Sequence, residues 1–473
     1  MKFINNRTIK SAAWYTASSM IAKAITLLIT PVFTRLLTKS EYGDYTNFVS
    51  WQNILVTVFS LELSSTVLRA KFDRAKELSF NSYVFTISWF SIAITVFLSL
   101  VLGLLNRIPT IQNIIGIKQV NILALSLIII FIPILQIFQA QQRAKLNYVS
   151  SSIITIFYGI CSFVVPYILV KISNAGVNSL FRGLALNSSI FGIFLLAYIS
   201  TRKKDKPDFT DIKYALVFSL PVVPHLVSSI IMGNSDKIMI KNMCGSDFAA
   251  IYGLVYTCAL AINLLRNSLN NAWLPWFYGK MNEANYSRIN YISRIYIIIF
   301  SLGSVLVCLL GPEVVMILGG EQYKEALLLL PVIMLGCYYN FLNLFYVNIE
   351  FYAKKTGMIS IITACTALLN LILNYVCITN YGYKAAAYTT AVCNLLIVVL
   401  HFAVTRKLNN KEVCDNKLIF VLSFFSPILV VICIIAYKYL FIRIALILVF
   451  VFLSTLYSFK LKKSGFSVRL NNI

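Results

Sequence analysis

Basic and hydroxyl side chains interrupt the first long apolar run of this chain at regular intervals. Steps of three or four residues connect Thr16, Ser19, Lys23, Thr26 and Thr30, which would form one polar stripe along a helix. A charge at the centre of a membrane helix costs about 2.5–3.5 kcal/mol, so it usually faces a cavity or an opposite charge. The stripe predicts a cavity wall, although a Lys buried against a neighbour's carboxylate would fit the same pattern.

Two arginines also lie within apolar runs. Arg266 has Asn263 and Asn270 near its helical face, and Arg182 lies in an earlier run. A guanidinium or ammonium in a low-dielectric cavity attracts anions strongly, and amides and hydroxyls can hydrogen-bond a polar ligand. We therefore expect these residues to line a binding cavity with Lys23, although the Arg266 guanidinium could instead reach the membrane interface.

Three more charged residues are candidates for a role in transport. Glu62 lies near the end of the second run and could carry a coupling proton, since low dielectric favours the neutral carboxyl. Pairing with a basic residue of another helix is the alternative. Asp236 and Lys237 lie at the end of the seventh run. They could form a salt bridge or contact a ligand.

Composition indicates which elements must position these residues. Of 473 residues, 59% are hydrophobic and only 12% are charged, and the mean hydropathy is +0.79. Soluble domains are about 45–50% apolar and about 25% charged, so the chain is typical of a polytopic membrane protein. The ten cysteines show no metal-ligand spacing. We expect free thiols, no metal and no cofactor.

The sequence predicts an all-α fold with about fourteen membrane-spanning helices. The apolar runs are each long enough to cross a bilayer of about 30 Å. They lie at roughly 11–32, 44–66, 82–105, 119–139, 149–171, 176–200, 214–234, 248–272, 290–311, 326–348, 358–378, 382–404, 418–437 and 439–459.

Loop charges predict the orientation. With the N-terminus placed in the cytoplasm, about two thirds of the 41 Lys and Arg residues fall on the cytoplasmic side. We therefore expect both termini inside, and we read the net charge of +24 as a topology signal, with no nucleic acid involved. The longest clearly polar loop, Thr201–Lys213, is too short for a catalytic domain. No phosphate-binding loop motif is present, which disfavours an ATP-driven pump.

A short motif recurs after the first and seventh predicted spans. FTRLLTKSEYGDY occupies Phe33–Tyr45, and MIKNMCGSDFAAI occupies Met239–Ile251. Six spans separate them, an even number, so two six-helix halves would be related by a pseudo-two-fold axis along the membrane normal. The predicted divisions are residues 1–206 and 207–410, followed by an additional helix pair in 411–473.

The first motif resembles the signature of polysaccharide-unit flippases, the Wzx type of the multidrug/oligosaccharidyl-lipid/polysaccharide exporter superfamily. Arg35, Glu41 and Gly43 match it, and Asp236 with Lys237 matches the exit of span 7. Lys39 stands where that family often has Pro, and Ala250 stands where it often has Gly.

The resemblance implies a MATE-like fold without enzymatic activity. It also implies that the chain flips a polyprenyl-diphosphate-linked oligosaccharide by alternating access, for O-antigen (lipopolysaccharide) or capsule synthesis. The location would be the bacterial inner membrane, with polysaccharide polymerase and chain-length proteins as partners and coupling to H+ or Na+.

Three other functions fit parts of the pattern. An ion-coupled drug exporter of the same superfamily should favour acidic residues in its spans, whereas this chain favours Lys23, Arg182 and Arg266. A flippase for peptidoglycan precursors would share the anionic cargo. A membrane polysaccharide polymerase or ligase typically carries a large outer loop, and no predicted outer loop is that long.

Overall fold

A computed structural model describes residues 6–73, 77–173, 175–202, 207–408 and 412–463. Of residues 6–13, 15, 16, 19, 23, 77, 78, 458 and 460–463 it describes the backbone alone. In lipid, every backbone N–H and C=O must be paired internally, and a helix achieves this within one segment. The described chain accordingly folds into helices, which are α1 Asn6–Leu36, α2 Lys39–Phe59, α3 Thr66–Asp73, α4 Glu77–Leu105, α5 Pro109–Ile115, α6 Gln119–Ala144, α7 Tyr148–Ser173, α8 Val177–Thr201, α9 Phe209–Ser219, α10 Val223–Cys244, α11 Ser246–Asn282, α12 Tyr286–Leu309, α13 Gly311–Leu318, α14 Ala326–Tyr352, α15 Thr356–Tyr381, α16 Ala385–Leu408, α17 Asn416–Ala436 and α18 Leu440–Lys463.

These helices confirm the prediction of an all-α polytopic membrane protein. Among the described residues, eleven helices are long and apolar enough to cross a membrane, and two bent pairs raise that number to 13. Helix α1, which covers the first predicted span, is not in that count. Helices α17 and α18 are separate, so the last two predicted spans are distinct elements.

The second span is broken, which corrects one expectation. Helices α2 and α3 are bent by 58°, and a 3-10 turn at Leu63–Ser65 lies between them. Leu61 and Glu62 adopt left-handed backbone angles, with φ of 49° and 50°. The predicted span over residues 44–66 is therefore two helices and not one continuous helix.

The seventh predicted span is also bent, at a position where the sequence has a proline. Helices α9 and α10 meet at 56°, and Pro224 occupies the first turn of α10. Proline has no N–H to donate to the preceding turn, so it starts a helix more readily than it continues one.

The described chain forms two compact units. The first falls within Met1–Gly253 and Thr363–Tyr383. Its core surrounds α6, which packs against α4 and α8 and contributes the buried Ile134 and Phe138. Helix α7 is far less buried: 11% of its most apolar window is covered, against 56% for α6. That difference identifies α7 as an outer helix of this unit.

The second unit falls within Leu254–Ile362 and Lys384–Ile473. Helix α14 is its centre, packed against α12, α13, α16 and α17. Phe300 of α12 stacks on Phe341 of α14 with ring centroids 3.8 Å apart. Helix α18 lies outermost, with 6% of its span covered. The predicted division into residues 1–206, 207–410 and 411–473 stays a prediction.

Candidate functional site

The first copy of the repeated motif forms a capped helix start. Thr38 and Glu41 form a capping box at α2, in which the Thr38 N–H donates to Glu41 Oε2 at 2.9 Å. The second carboxylate oxygen, Oε1, accepts the Val177 N–H at 3.2 Å. Glu41 thus satisfies free N–H groups at the starts of α2 and α8 together. Its role is to hold these two helix ends in place.

The two motif copies touch each other within the first unit. A Cβ at Gly43 would collide with the backbone carbonyl of Ser246, so only glycine permits this approach. Asp44 accepts a hydrogen bond from the Ser246 hydroxyl at 2.8 Å, and Lys241 Nζ lies 2.9 Å from the same carboxylate. The repeat that the sequence shows as two distant stretches is one packed junction in space.

Arg35, the remaining member of the first copy, lies outside this junction. Its side chain is exposed, and Nη1 donates to the Pro31 carbonyl of its own helix at 3.0 Å. Arg35 lies in the last turn of α1 and places a positive charge at the helix C-terminus.

Asp236 is held in a buried polar network of the first unit. It is 0% exposed and accepts hydrogen bonds from Tyr252 Oη and from Asn374 Nδ2, each at 2.7 Å. Asn374 also donates to Asn370 at 3.3 Å. The hydrogen bonds of Asp236 thus join α10, α11 and α15. Neighbouring Lys237 donates to Asn234 Oδ1 at 3.4 Å.

Arg266 lies on α11 in the second unit, and its charge has no matching carboxylate among the described residues. Nη2 donates to Asn267 at 3.4 Å, and buried Nε has no hydrogen-bond partner within the described chain. The described residues give Arg266 no ion pair. A half-buried guanidinium with an unused donor is suited to receive an anion.

The two asparagines predicted beside Arg266 are near it on α11 but make contacts to α14. Asn263 Nδ2 lies 3.7 Å from Cys337 Sγ, and Asn270 Oδ1 accepts from Asn348 Nδ2 at 2.9 Å. Both amides therefore join α11 to α14 as well as flanking the arginine. Each keeps hydrogen-bonding capacity beyond this contact, since an amide has two donors and an acceptor.

The other predicted cavity residues lie in the first unit. Arg182 is exposed on α8. Thr26 is exposed on α1 and donates to the Ala22 carbonyl at 3.3 Å. Thr16, Ser19 and Lys23 belong to α1, but their side chains lie outside the described residues. The polar stripe of α1 therefore stays a prediction.

Glu62, the predicted coupling residue, occupies the break between α2 and α3. Ser64 Oγ donates to its Oε1 at 3.3 Å, and its own N–H donates to Ser60 Oγ at 3.2 Å. These local bonds give the carboxylate a structural task in the turn. Its assignment as a coupling group stays a prediction.

Several ion pairs of the second unit were missed from the sequence. Glu350 lies 2.8 Å from His401, Arg294 lies 2.6 Å from Asp415, and Arg443 pairs with Glu313. His401 falls within a predicted span, and an ionisable residue there was a usable signal. Among the described residues no group of three or more His, Cys, Asp and Glu side chains could hold a metal ion.

Comparison with known proteins identifies the fold and the family. A family model described as "Polysaccharide biosynthesis protein" matches residues 8–281. Lsg locus protein 1 of Haemophilus influenzae is 22% identical over 225 residues, 46% of this chain and 55% of its own length. An uncharacterised membrane protein of Methanocaldococcus jannaschii is 24% identical over 244 residues, 47% and 56% of the two chains. The matched part thus spans about half the length of these curated relatives.

Solved structures share the fold over almost the whole chain. The lipid II flippase MurJ in an inward closed conformation gives a TM-score of 0.71 at 14% identity, covering 92% of this chain and 97% of that one. An inward-facing MATE-family multidrug resistance transporter gives 0.66 at 13% identity, covering 82% and 94%. The predicted MATE-like architecture is confirmed.

Proposed function

The chain belongs to the polysaccharide biosynthesis protein family, and from that premise we propose that it is a Wzx-type flippase. It moves a polyprenyl-diphosphate-linked oligosaccharide from the cytoplasmic to the outer leaflet of the bacterial inner membrane. The product feeds synthesis of a surface polysaccharide such as O-antigen or capsule. The family, the fold shared with MurJ and the MATE transporter, and the cations of the spans support this proposal.

The observation that carries the proposal is the state of Arg266. Its guanidinium is half-buried in a membrane helix, lacks an ion pair among the described residues and has an unused Nε donor. Leaving a charge in that position is unfavourable unless an anion is received there at some stage. A diphosphate offers several acceptor oxygens and two or more negative charges, which a guanidinium can bind in a bidentate manner.

The neighbouring amides suit the sugar part of such a cargo. Asn263 and Asn270 flank Arg266 on α11, and amides can donate to and accept from sugar hydroxyls. We propose the hydroxyls of Thr16, Ser19 and Thr26 on α1, and the cations Lys23 and Arg182, as further residues that contact the cargo. The polyprenyl tail would stay in lipid during the crossing.

Transport would proceed by alternating access without a cofactor. We propose H+ or Na+ as the coupling ion, with Glu62 as one carboxylate that could bind it. The motif residues Arg35, Glu41, Gly43, Asp236 and Lys237 would fix the helix ends that bound the path. Polysaccharide polymerase and chain-length proteins would act on the delivered unit, and both termini would lie in the cytoplasm.

The test uses cells that lack this gene and follows the lipid-linked sugar unit. We expect the unit to accumulate on the cytoplasmic leaflet, and the wild-type protein to relieve the accumulation. Lys23→Ala and Arg266→Ala should fail to relieve it, whereas Lys324→Ala, at an exposed position paired with Glu321, should succeed.

The same cells separate the alternatives. Normal surface polysaccharide with lost drug efflux would contradict the flippase proposal and favour the exporter. Correctly delivered units that are never joined into chains would instead favour a polymerase or ligase. If both the Lys23 and the Arg266 variants transport normally, the assigned site is wrong.

A further inference from the structure

A carboxylate and an imidazole face each other inside the second unit, apart from the residues assigned above. Glu350 on α14 is 0% exposed and His401 on α16 is 1% exposed. Glu350 Oε1 lies 2.8 Å from His401 Nδ1. The other carboxyl oxygen, Oε2, is buried and has no hydrogen-bond partner within the described chain. Buried polar atoms are normally paired, so this oxygen has the capacity to bind a ligand.

The charges of the pair restrict what that ligand can be. An ionised Glu350 beside a neutral His401 carries one negative charge in a buried site. One added proton makes the pair neutral overall, whether it resides on the carboxyl or on the imidazole. An uncompensated buried charge is strongly disfavoured, so the neutral, singly protonated pair is favoured by burial.

The charged groups on neighbouring elements are largely committed to other partners. Arg294 on α12 binds Asp415, which precedes α17, with Nη2 2.6 Å from Oδ2. Glu313 on α13 pairs with Arg443. Burial raises the pKa of Cys414 to about 12, so this thiol stays neutral. Among the described residues, the cavity at this end of the unit is also lined by the titratable side chains of Tyr346 on α14, Arg406 on α16, Glu412 before α17 and Lys417 on α17. Tyr346 Oη donates to Asn416.

A cavity brings water close to the pair. It has a volume of about 410 Å³, and its wall includes Tyr346 and Thr405 together with Arg406, Glu412 and Lys417. Tyr346 precedes Glu350 by four residues and Thr405 follows His401 by four, so each is one helical turn away on the same face. Water occupies about 30 Å³ per molecule in the liquid, so the cavity can hold several molecules.

We propose that Glu350 and His401 form a proton-binding site that exchanges its proton with water in this cavity. A metal ion fits less well, since the site offers a single free oxygen and hard cations take six or more oxygen ligands. Within the described chain no cluster of three potential metal-ligating side chains exists. A consequence, which rests on the proposed function, is that the second unit offers H+ for coupling.

Infrared difference spectroscopy of the full chain in lipid bilayers tests the site directly. Spectra recorded between a low and a high pH should contain the C=O band of a carboxyl group that gains a proton in a buried environment. We expect this band to disappear in Glu350→Gln. It should persist in Glu313→Gln, which removes the half-exposed carboxyl that pairs with the buried Arg443.

A second variant keeps the test decisive if Glu350→Gln does not fold. In His401→Gln, the amide can still donate to Glu350 Oε1 but cannot titrate, so the carboxyl band should remain with a shifted midpoint pH. An unchanged band in Glu350→Gln, or an unchanged midpoint in His401→Gln, would overturn the proposal. The spectra need no cargo, so their outcome is separate from that of the flipping assay.

Discussion

Lys241 and Arg266 are both basic residues of membrane helices, and their surroundings give them different roles. Lys241 lies 2.9 Å from Asp44 and completes the junction between the two motif copies. Arg266 makes no such pair with any described carboxylate, and its Nε is unused. The first cation is neutralised by the fold itself, whereas the second is the one that we propose for ligand binding. Residue type and position in a span do not distinguish the two; their partners do.

Asp236 gives a prediction about stability. In Asp236→Ala, Tyr252 Oη and Asn374 Nδ2 lose a buried acceptor, which costs about 1–3 kcal/mol for each group left unpaired. We expect a clearly lower melting temperature for the detergent-solubilised protein. Glu321→Ala, at an exposed site, should leave the melting temperature close to that of wild type. Equal melting temperatures for both variants would show that the network contributes little.

Gly43 gives a second prediction. A Cβ at this position would overlap the Ser246 carbonyl, so Gly43→Ala must separate α2 from the start of α11. Overpacking of this kind costs about 1–3 kcal/mol, which thermal unfolding should register. Gly279→Ala is the matched control, because its Cβ would meet nothing within 4 Å and alanine favours a helix. The junction as described would be wrong if Gly43→Ala were as stable as the control.

The positions of the spans could be predicted from the sequence, whereas only one of the two bends carries a sequence signal. A run of about 20 apolar residues has few alternatives to a membrane helix, so the predicted spans coincide with observed helices. The bend between α9 and α10 carries Pro221 and Pro224 as a signal. The bend at Leu61 and Glu62 has neither proline nor glycine, and only tertiary packing explains why non-glycine residues hold a left-handed conformation there.

The turn after α6 offers a prediction at this scale. Leu146 has a φ of 56°, which is unfavourable for a residue with a side chain. It is 36% exposed, so its side chain buries only a modest apolar area. Left-handed backbone costs about 1–2 kcal/mol for an ordinary residue, so Leu146→Gly should raise the unfolding temperature. Leu105→Gly, at the exposed end of α4, should instead lower it, since glycine weakens a helix. A loss of stability in Leu146→Gly would mean that its side-chain contacts outweigh the strain.

For the whole molecule, the sequence predicted the class and the family, and the structure supplied the pairings. The composition predicts a polytopic protein, and the repeated motif points to the exporter superfamily. The buried contact of Glu350 with His401 joins residues 51 positions apart on different helices, and a single sequence contains no pattern that pairs them. The stripe on α1 followed from helical spacing, and its role stays a prediction.

Orientation gives a prediction for the complete chain. The bias of Lys and Arg predicts that the turn after α14, with Lys354 and Lys355, lies in the cytoplasm. The turn before α14, with Lys324, would then lie outside. Alkaline phosphatase, which is active only outside the cytoplasm, should be inactive when fused after Lys354 and active when fused after Lys324. The reverse pattern would invert the proposed topology.

The most direct test of the proposed function is transfer of a polyprenyl-diphosphate-linked oligosaccharide between the leaflets of vesicles that contain the purified protein. We expect the wild type and Lys324→Ala to accelerate transfer. Loss of a charge-assisted contact of about 1.5–3 kcal/mol should slow Arg266→Ala roughly tenfold or more. Transfer no faster than in protein-free vesicles, or an Arg266→Ala variant as fast as wild type, would contradict the account.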